Sequence, residues 1–295
     1  MLGHLLAEWL NTRGNTAANA GQRERAVRSY RWAARCDPSW SVPHYNLGLE
    51  AKHLCNWEES LRCNIRATEL NDQDEGAWWN LGIAATALHD WATARKAWRW
   101  FGVDIPDGDG EWAGQAEPAC VRLNPERDGE VVWGERLDPA RLVILNVPLP
   151  ESEHRFRDIV LNDGAANGRR ESNGEEVPVF DELQVWQASP YSTYEVTLET
   201  EDPNLESILT ELARERELGV EDWSTIRWMC KECSRGNPGP HQCAPKANDP
   251  RRIAIAALSE GEVHSAVEEL TKRSTKTHCL DIELVLAARR ELAPC

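Results

Sequence analysis

Small and apolar positions recur every 34 residues across the first third of the chain. Gly14, Gly48 and Gly82 share one register, Ala26, Ser60 and Ala94 a second, and Tyr30, Asn64 and Trp98 a third. Ala33, Ala67 and Phe101 form a fourth, and Pro38, Asp72 and Pro106 close each unit. A fixed period of this length marks a stack of like supersecondary units. Each unit reads as two helices: the glycine lets the first approach the second, and the small residue twelve positions later seats the second against the first. The closing Pro or Asp ends the second helix before the next unit begins. The repeats span 7–40, 41–74 and 75–108, within a helical domain over 1–108.

Past residue 108 the period is lost. Residues 102–128 are rich in Gly, Pro and acids and predict a linker or wrapping loop. Short runs at 130–135, 141–147, 155–161, 175–180 and 183–188, parted by turn sequences such as Asn-Asp-Gly-Ala-Ala-Asn-Gly at 162–168, predict a small β-rich unit over 109–191. From 192 the pattern sharpens. Tyr194, Val196 and Leu198 alternate as a half-buried strand, and Leu205, Ile208, Leu209 and Leu212 share one helical face after Asp202-Pro203. Strands are expected at 225–229 and 252–258. Ser259 and Glu262 make a capping box ahead of a helix that carries Val263, Ala266, Val267 and Leu270 on one face. Leu280, Ile282, Leu284 and Leu286 predict a last strand. The order βαββαβ predicts a ferredoxin-like domain over 192–295. The expected fold class is α+β and multidomain.

The three in-phase repeats resemble the tetratricopeptide repeat (TPR) family, over about a third of the chain. The resemblance implies a superhelix whose first helices line a concave peptide groove. At the matching positions stand Asn11, Thr12 and Asn15; then Tyr45, Asn46, Leu49 and His53; then Trp79, Asn80 and Ile83. Members that clamp a chaperone's terminal carboxylate use Lys, Arg and Asn there. Only Asn46 and Asn80 match that clamp, so the resemblance does not extend to that ligand class. An amide- and aromatic-lined groove suits an extended segment or a helix. The competing expectation is that the chain's own later residues fill the groove, because three repeats are a minimum and need a cap. Two positions depart from the family: Asn64 replaces a bulky aromatic, and Phe101 replaces an alanine, so a different element is expected after repeat three. Trp57, Trp78, Trp91 and Trp100 are expected to pack rather than bind.

Composition narrows the function classes. Of 295 residues, 41% are hydrophobic, enough to bury cores, while 49 acidic against 33 basic residues give a net charge of −16. That balance disfavours nucleic acid and anionic membrane surfaces as partners. The charge is uneven: 12 basic against 13 acidic residues in 1–108, 8 against 17 in 109–191, and 13 against 19 in 192–295. No apolar run approaches the ~18 residues of a spanning helix, and the N-terminal sequence has neither the basic start nor the apolar stretch of a secretory leader. A soluble, cytoplasmic, bacterial-type protein is expected. Nine cysteines, an odd number, suit a reducing compartment. Cys36, Cys55 and Cys63 fall in repeat helices, where a thiol acts as a small hydrophobe.

The strongest chemical pattern lies at 230–243. Cys230-x2-Cys233 followed by His241-x-Cys243 supplies three thiolates and one imidazole, the full tetrahedral set of a structural zinc. A redox dithiol, a surface loop without metal, or a recognition knuckle are the competing readings, and His278-Cys279 is a weaker ligand pair. Arg227, Lys231, Arg235, Lys246, Arg251 and Arg252 gather near this loop and sustain nucleic-acid binding as a minor alternative. The acid pairs Glu175-Glu176 and Asp181-Glu182 are expected to be solvated turns. No phosphate loop, dinucleotide fingerprint, nucleophile elbow, zinc-protease or kinase signature occurs. The first expectation is an interaction or scaffold protein that holds a partner segment, a basic toxin to be neutralised being one such partner. An enzyme, or enzyme subunit, with its site between the β-rich and C-terminal domains is the second.

Overall fold

The computed structural model describes residues 2–114, 116–127, 129–172, 174–226 and 250–289. The chain divides into two compact units, Met1–Gly114 with Asp138–Ala140, and Gln115–Leu137 with Arg141–Cys295.

The first unit is helical: α1 (Leu2–Asn19), α2 (Arg23–Cys36), α3 (Ser41–His53), α4 (Trp57–Leu70), α5 (Glu75–Ala87) and α6 (Trp91–Trp100). The helices pack as the pairs α1–α2, α3–α4 and α5–α6. The period has a direct steric cause. A Cβ on Gly14 would lie 2.4 Å from the Tyr30 ring, one on Gly48 2.5 Å from the Asn64 amide, and one on Gly82 2.5 Å from the Trp98 ring. Each repeat glycine is therefore the seat of the large side chain on its partner helix. In repeat two, Ser60 Oγ also donates to the Gly48 carbonyl at 2.9 Å. Helix starts are capped by Asn56, Asp74 and Asp90, whose side chains accept from the N–H groups of Glu59, Ala77 and Thr93 at 3.2, 3.0 and 3.1 Å. The turn inside each hairpin uses a left-handed residue at the same register: Gly21 (φ 71°), Cys55 (φ 52°) and His89 (φ 57°). The two non-glycine residues each carry strain of about 1 kcal/mol.

After repeat three the chain turns back along α6. Phe101 packs edge-on to Trp79 and Trp100, both at 4.8 Å, and Ile105 is buried. Arg95 donates to the carbonyls of Gly110 and Pro106 at 3.0 and 2.7 Å, and Arg99 to those of Ile105 and Pro106 at 3.2 Å. The first part of the expected loop is thus a strap that ends the array.

The second unit opens with a closed barrel of β1 (Glu117–Leu123), β2 (Glu130–Arg136), β3 (Arg141–Ile144), β4 (Ile159–Ser172) and β5 (Glu175–Gln187). Successive strands are antiparallel, and β1 closes the barrel by running parallel to β5, with Arg122 opposite Asp181. Ala119, Val121, Leu123, Val132, Leu142, Ile144, Val160 and Phe180 fill it. Three expectations need correction. β1 lies in the stretch read as a linker. The supposed turn 162–168 lies within β4, where the pairing register slips between Leu161 and Asn162, Asn162 and Ala166, and Ala166 and Arg169; Gly and Asn there mark bulges rather than a reversal. Asp181 and Glu182 sit inside β5, with Glu182 buried, not in a solvated turn.

The remaining elements are β6 (Ser192–Thr200), α7 (Leu205–Arg216), β7 (Gly219–Asp222), β8 (Arg251–Ala257), α8 (Glu260–Arg273) and β9 (Thr277–Leu286). The sheet order is β7-β8-β6-β9, with every neighbouring pair antiparallel. Gly219–Asp222 is a strand that the alternation did not predict; of the expected strand at 225–229, Thr225 closes a 3-10 turn begun by Trp223, and residues 227–229 lie outside the described residues. On β9 a register shift sets Cys279 opposite Leu198 and Asp281 opposite Thr197. Leu280 is extruded and Leu284 exposed, while Cys279 and Ile282 meet the core. The helices cover one face of the sheet through Ile253, Ile255 and Ala257 of β8. The other face of the same strand, Ala254 and Ala256, packs on Val147, Phe156 and Trp223. Barrel and sheet are therefore parts of one body.

Candidate functional site

The groove positions lie on α1, α3 and α5. Asn15 and His53 are exposed, and Tyr45, Asn46, Leu49 and Trp79 are half-buried. Asn11, Asn80 and Ile83 are buried, at 6%, 4% and 0% exposure. Asn46 Nδ2 donates to Asn11 Oδ1 at 2.9 Å, an amide bridge from repeat one to repeat two. Tyr30 OH donates to Asn15 Oδ1 at 2.9 Å, and burial, with Glu50 nearby, pushes the Tyr30 phenol up to about 12, so it remains a donor. Tyr45 lies over the start of α5, where a Cβ on Gly76 would come within 2.9 Å of its ring. Trp79 is gripped edge-on by Trp98 and Phe101 at 5.3 and 4.8 Å. The amides and aromatics picked out by their spacing thus divide: the buried ones hold the helices in phase, and the others reach the surface.

A second constellation, which spacing does not reveal, lies in the barrel and its connections and reaches the sheet through Asn146 and Glu221. His154 Nε2 meets Glu182 Oε1 at 2.6 Å, its Nδ1 meets the Ser152 carbonyl at 2.7 Å, and Glu182 Oε2 accepts from the Asn124 N–H at 3.0 Å. Both side chains of the pair are buried. Burial pulls the His154 imidazole down, but the hydrogen bond and charge of Glu182, the Ser152 carbonyl and Asp158 outweigh it and the net direction is up. Nearby, both Glu130 oxygens accept from the Leu149 N–H at 3.2 and 3.1 Å, and Asn146 Nδ2 donates to Glu221 Oε2 at 2.7 Å. Burial pushes the Glu130 carboxyl up to about 7 and raises that of Glu221 as well. These groups spend their polar atoms on the backbone and on one another, the arrangement of a joint rather than of an acid–base pair facing a substrate. Glu130, held above the usual ~4.3 of a glutamate, supplies stability that is whole below that pH and is lost as pH climbs to about 7. The loss is on the order of 3 kcal/mol. Glu130→Gln keeps an acceptor for Leu149 without the charge, so urea unfolding of this variant should show a flatter slope between pH 5 and 7 and a gain over the parent at pH 8.

Cys230, Cys233, His241 and Cys243 lie outside the described residues, as do Arg227, Lys231, Arg235 and Lys246. Among the described residues no His, Cys, Asp and Glu group is placed to hold a metal ion. Arg251 and Arg252 are engaged by carboxylates: Arg251 NH1 lies 2.8 Å from Asp222 Oδ2, and Arg252 makes a two-pronged pair with Glu195 at 2.6 Å for each bond. Among the described residues no helix is long and apolar enough to cross a membrane.

A stack of three two-helix repeats, each locked by a glycine under a large side chain, puts the first unit in the class of tetratricopeptide-type arrays. Several solved TPR domains are similar to about a third of the chain. A TPR domain of Arabidopsis OM64 is similar at 20% identity, covering 33% of this chain and 80% of that one, with a TM-score of 0.31. The second TPR of Spaghetti (RPAP3), bound to the HSP90 peptide SRMEEVD, is similar at 22% identity over 32% of this chain and 88% of that one, TM-score 0.31. The TPR2B domain of yeast Sti1, in a pHsp70 complex, gives 18% identity, 32% and 77% coverage and a TM-score of 0.31. No protein-family model and no curated protein matches the chain.

Proposed function

We propose that this chain is a cytoplasmic interaction protein whose repeat array holds a segment of a partner protein along α1, α3 and α5. The observation that carries the reading is that Asn15 and Leu49, in register at the 34-residue period, and Tyr45 and Trp79, in register at a second, reach the surface beside the buried amides Asn11 and Asn80. Side-chain amides and an aromatic offer hydrogen bonds and apolar burial to an extended segment or a helix. The acidic excess, 49 against 33, favours a basic partner such as a toxin to be neutralised, by speeding encounter and making it salt-dependent. Leu49→Lys with His53→Lys should cut recovery of the partner by about tenfold in affinity capture with the full chain, with the melting temperature unchanged. Equal recovery would remove the face from the account.

The second unit's split βαβ order supports reading it as a ferredoxin-like domain that carries a zinc loop. Its β7 and β8 are paired at Asp222 and Ile253, so the intervening chain starts and ends on adjacent strands. A closed loop with three thiols and one imidazole has the donor set of a structural zinc site. Such an ion would brace the loop and, with four protein ligands, leave no position for a substrate. Metal analysis of the purified chain should give one zinc per chain, lost in Cys233→Ser; equal metal in both would refute the site.

A further inference from the structure

The repeats show what the face that each turns toward its preceding neighbour accepts. In repeat two, Leu47 of α3 and Cys63 of α4 are buried under α2, with Val27 packed against them. In repeat three, Trp78, Leu81 and Ala97 are covered in the same way, with Leu61 of α4 in contact. Val27 and Leu61 are 34 residues apart, so each covered face receives a helix that presents an apolar residue at one register. The matching face of repeat one has no preceding repeat among the described residues. It forms a cleft of about 720 Å³ between α1 and α2, lined by Trp9, Arg13, Arg25, Arg28 and Trp32 among others. Trp9 and Trp32 are 58% and 56% exposed, and Leu5 and Leu6 extend the apolar stripe along α1 at 58% and 48%.

The chemistry of this face differs from its two internal counterparts. Arg13 stands where repeats two and three have Leu47 and Leu81, and Arg25 where they have Glu59 and Thr93. Arg28 keeps the positive charge of Arg62 and Lys96. Among the described residues, three guanidinium groups and no carboxylate line the cleft. Arg13 lies over the Trp9 ring at 5.7 Å, and Arg35 over the Trp32 ring at 5.0 Å. Among the described residues Arg25 reaches the neutral Gln22 at 2.5 Å, and the Glu24 beside Arg28, at 3.7 Å, is itself solvent-exposed. Tryptophan and arginine side by side are the residue types that dominate interface energies. A second copy docked by the same face would set arginines against arginines.

We propose that this cleft of repeat one is a second docking site, separate from the helix-first face, and that it takes an acidic amphipathic helix of a partner protein. The helix lies as α2 lies on repeat two, its apolar stripe between Trp9 and Trp32 and its carboxylates toward Arg13, Arg25 and Arg28.

The test uses the full chain and two capped 16-residue helical peptides with the same leucine stripe, one flanked by Glu and one by Lys. Calorimetry should show the Glu peptide binding about tenfold or more tighter than the Lys peptide, with the gap narrowing in high salt. Arg13→Glu with Arg28→Glu, both exposed positions that leave the fold intact, should reverse the preference. Trp9→Ala with Trp32→Ala should weaken the Glu peptide about tenfold, and Leu49→Lys should leave it unchanged. Equal affinity for the two peptides, indifference to the charge reversal, or loss through Leu49→Lys would overturn the proposal. So would sedimentation showing that the chain dimerises through Trp9 and Trp32.

Discussion

Gly82→Ala should destabilise the helical unit by about 3 kcal/mol and lower its melting temperature by roughly 10 °C or more. The added methyl would sit 2.5 Å from the Trp98 ring, and that ring has nowhere to go. Trp98 is 1% exposed, and Trp79 and Phe101 pack against it at 5.3 and 6.4 Å. The helices must therefore move apart, which strips apolar surface from the α5–α6 contact. Gly48→Ala should cost less, because Asn64 is smaller than the indole that meets Gly82, although the methyl would press on the Nδ2 that donates to the Ser60 carbonyl at 2.8 Å. Gly261→Ala is the control: nothing lies within 4 Å of its added methyl, and it lies in α8. Helix propensity alone should make it neutral or slightly stabilising. Thermal melts of the three variants check the order.

The second large effect is expected at the buried pair between the β3–β4 connection and β5. His154→Ala should cost about 3–5 kcal/mol, because it strands the buried Glu182 carboxylate without its cation. Adding Glu182→Gln should restore part of the loss, since a neutral amide no longer needs a countercharge while still accepting from the Asn124 N–H. The pH sign follows from the upward net shift of His154. Its pairing energy is whole below the ordinary histidine pKa and fades as pH rises through the folded-state value. Stability of the parent chain should therefore fall toward alkaline pH, and that fall should be missing in His154→Ala. Urea unfolding across pH 5 to 9 separates this from the Glu130 effect, which is complete by about pH 7.

The helical repeats were legible because one steric contact, glycine under a large side chain, recurs with fixed spacing and leaves its mark in the sequence. In the C-terminal sheet, β6, both helices and β8 were legible from alternation, one-sided apolar faces and a capping box, while β7 was not. Nor was the barrel. β1 begins with Glu-Pro and carries Arg122, which a sequence reader assigns to solvent; in the fold that arginine is buried and pairs with Asp181, 58 residues beyond the end of β1. β4 accommodates its Asn and Gly residues as bulges, so a strand looked like a turn. On β9 the bulge at Leu280 switches which residues face the core, which simple alternation does not foresee. The His154–Glu182 pair spans 28 residues and has no motif spacing. Its signal exists only once the barrel is closed. At the helix-first face, spacing did not foresee which amides would be consumed within the array: Asn11 and Asn46 bond to each other.

The central claim is that α1, α3 and α5 offer their surface to another molecule. Leu49, half-buried on α3, is the position at which to ask. A photoreactive phenylalanine analogue placed there in the full chain, irradiated in the native cell and followed by mass spectrometry, reports what lies against the face. The account predicts an adduct to a different polypeptide, lost when Trp79→Ala disturbs the neighbouring contact. Adducts formed only with later residues of the same chain would contradict it, because the face would then be occupied from within.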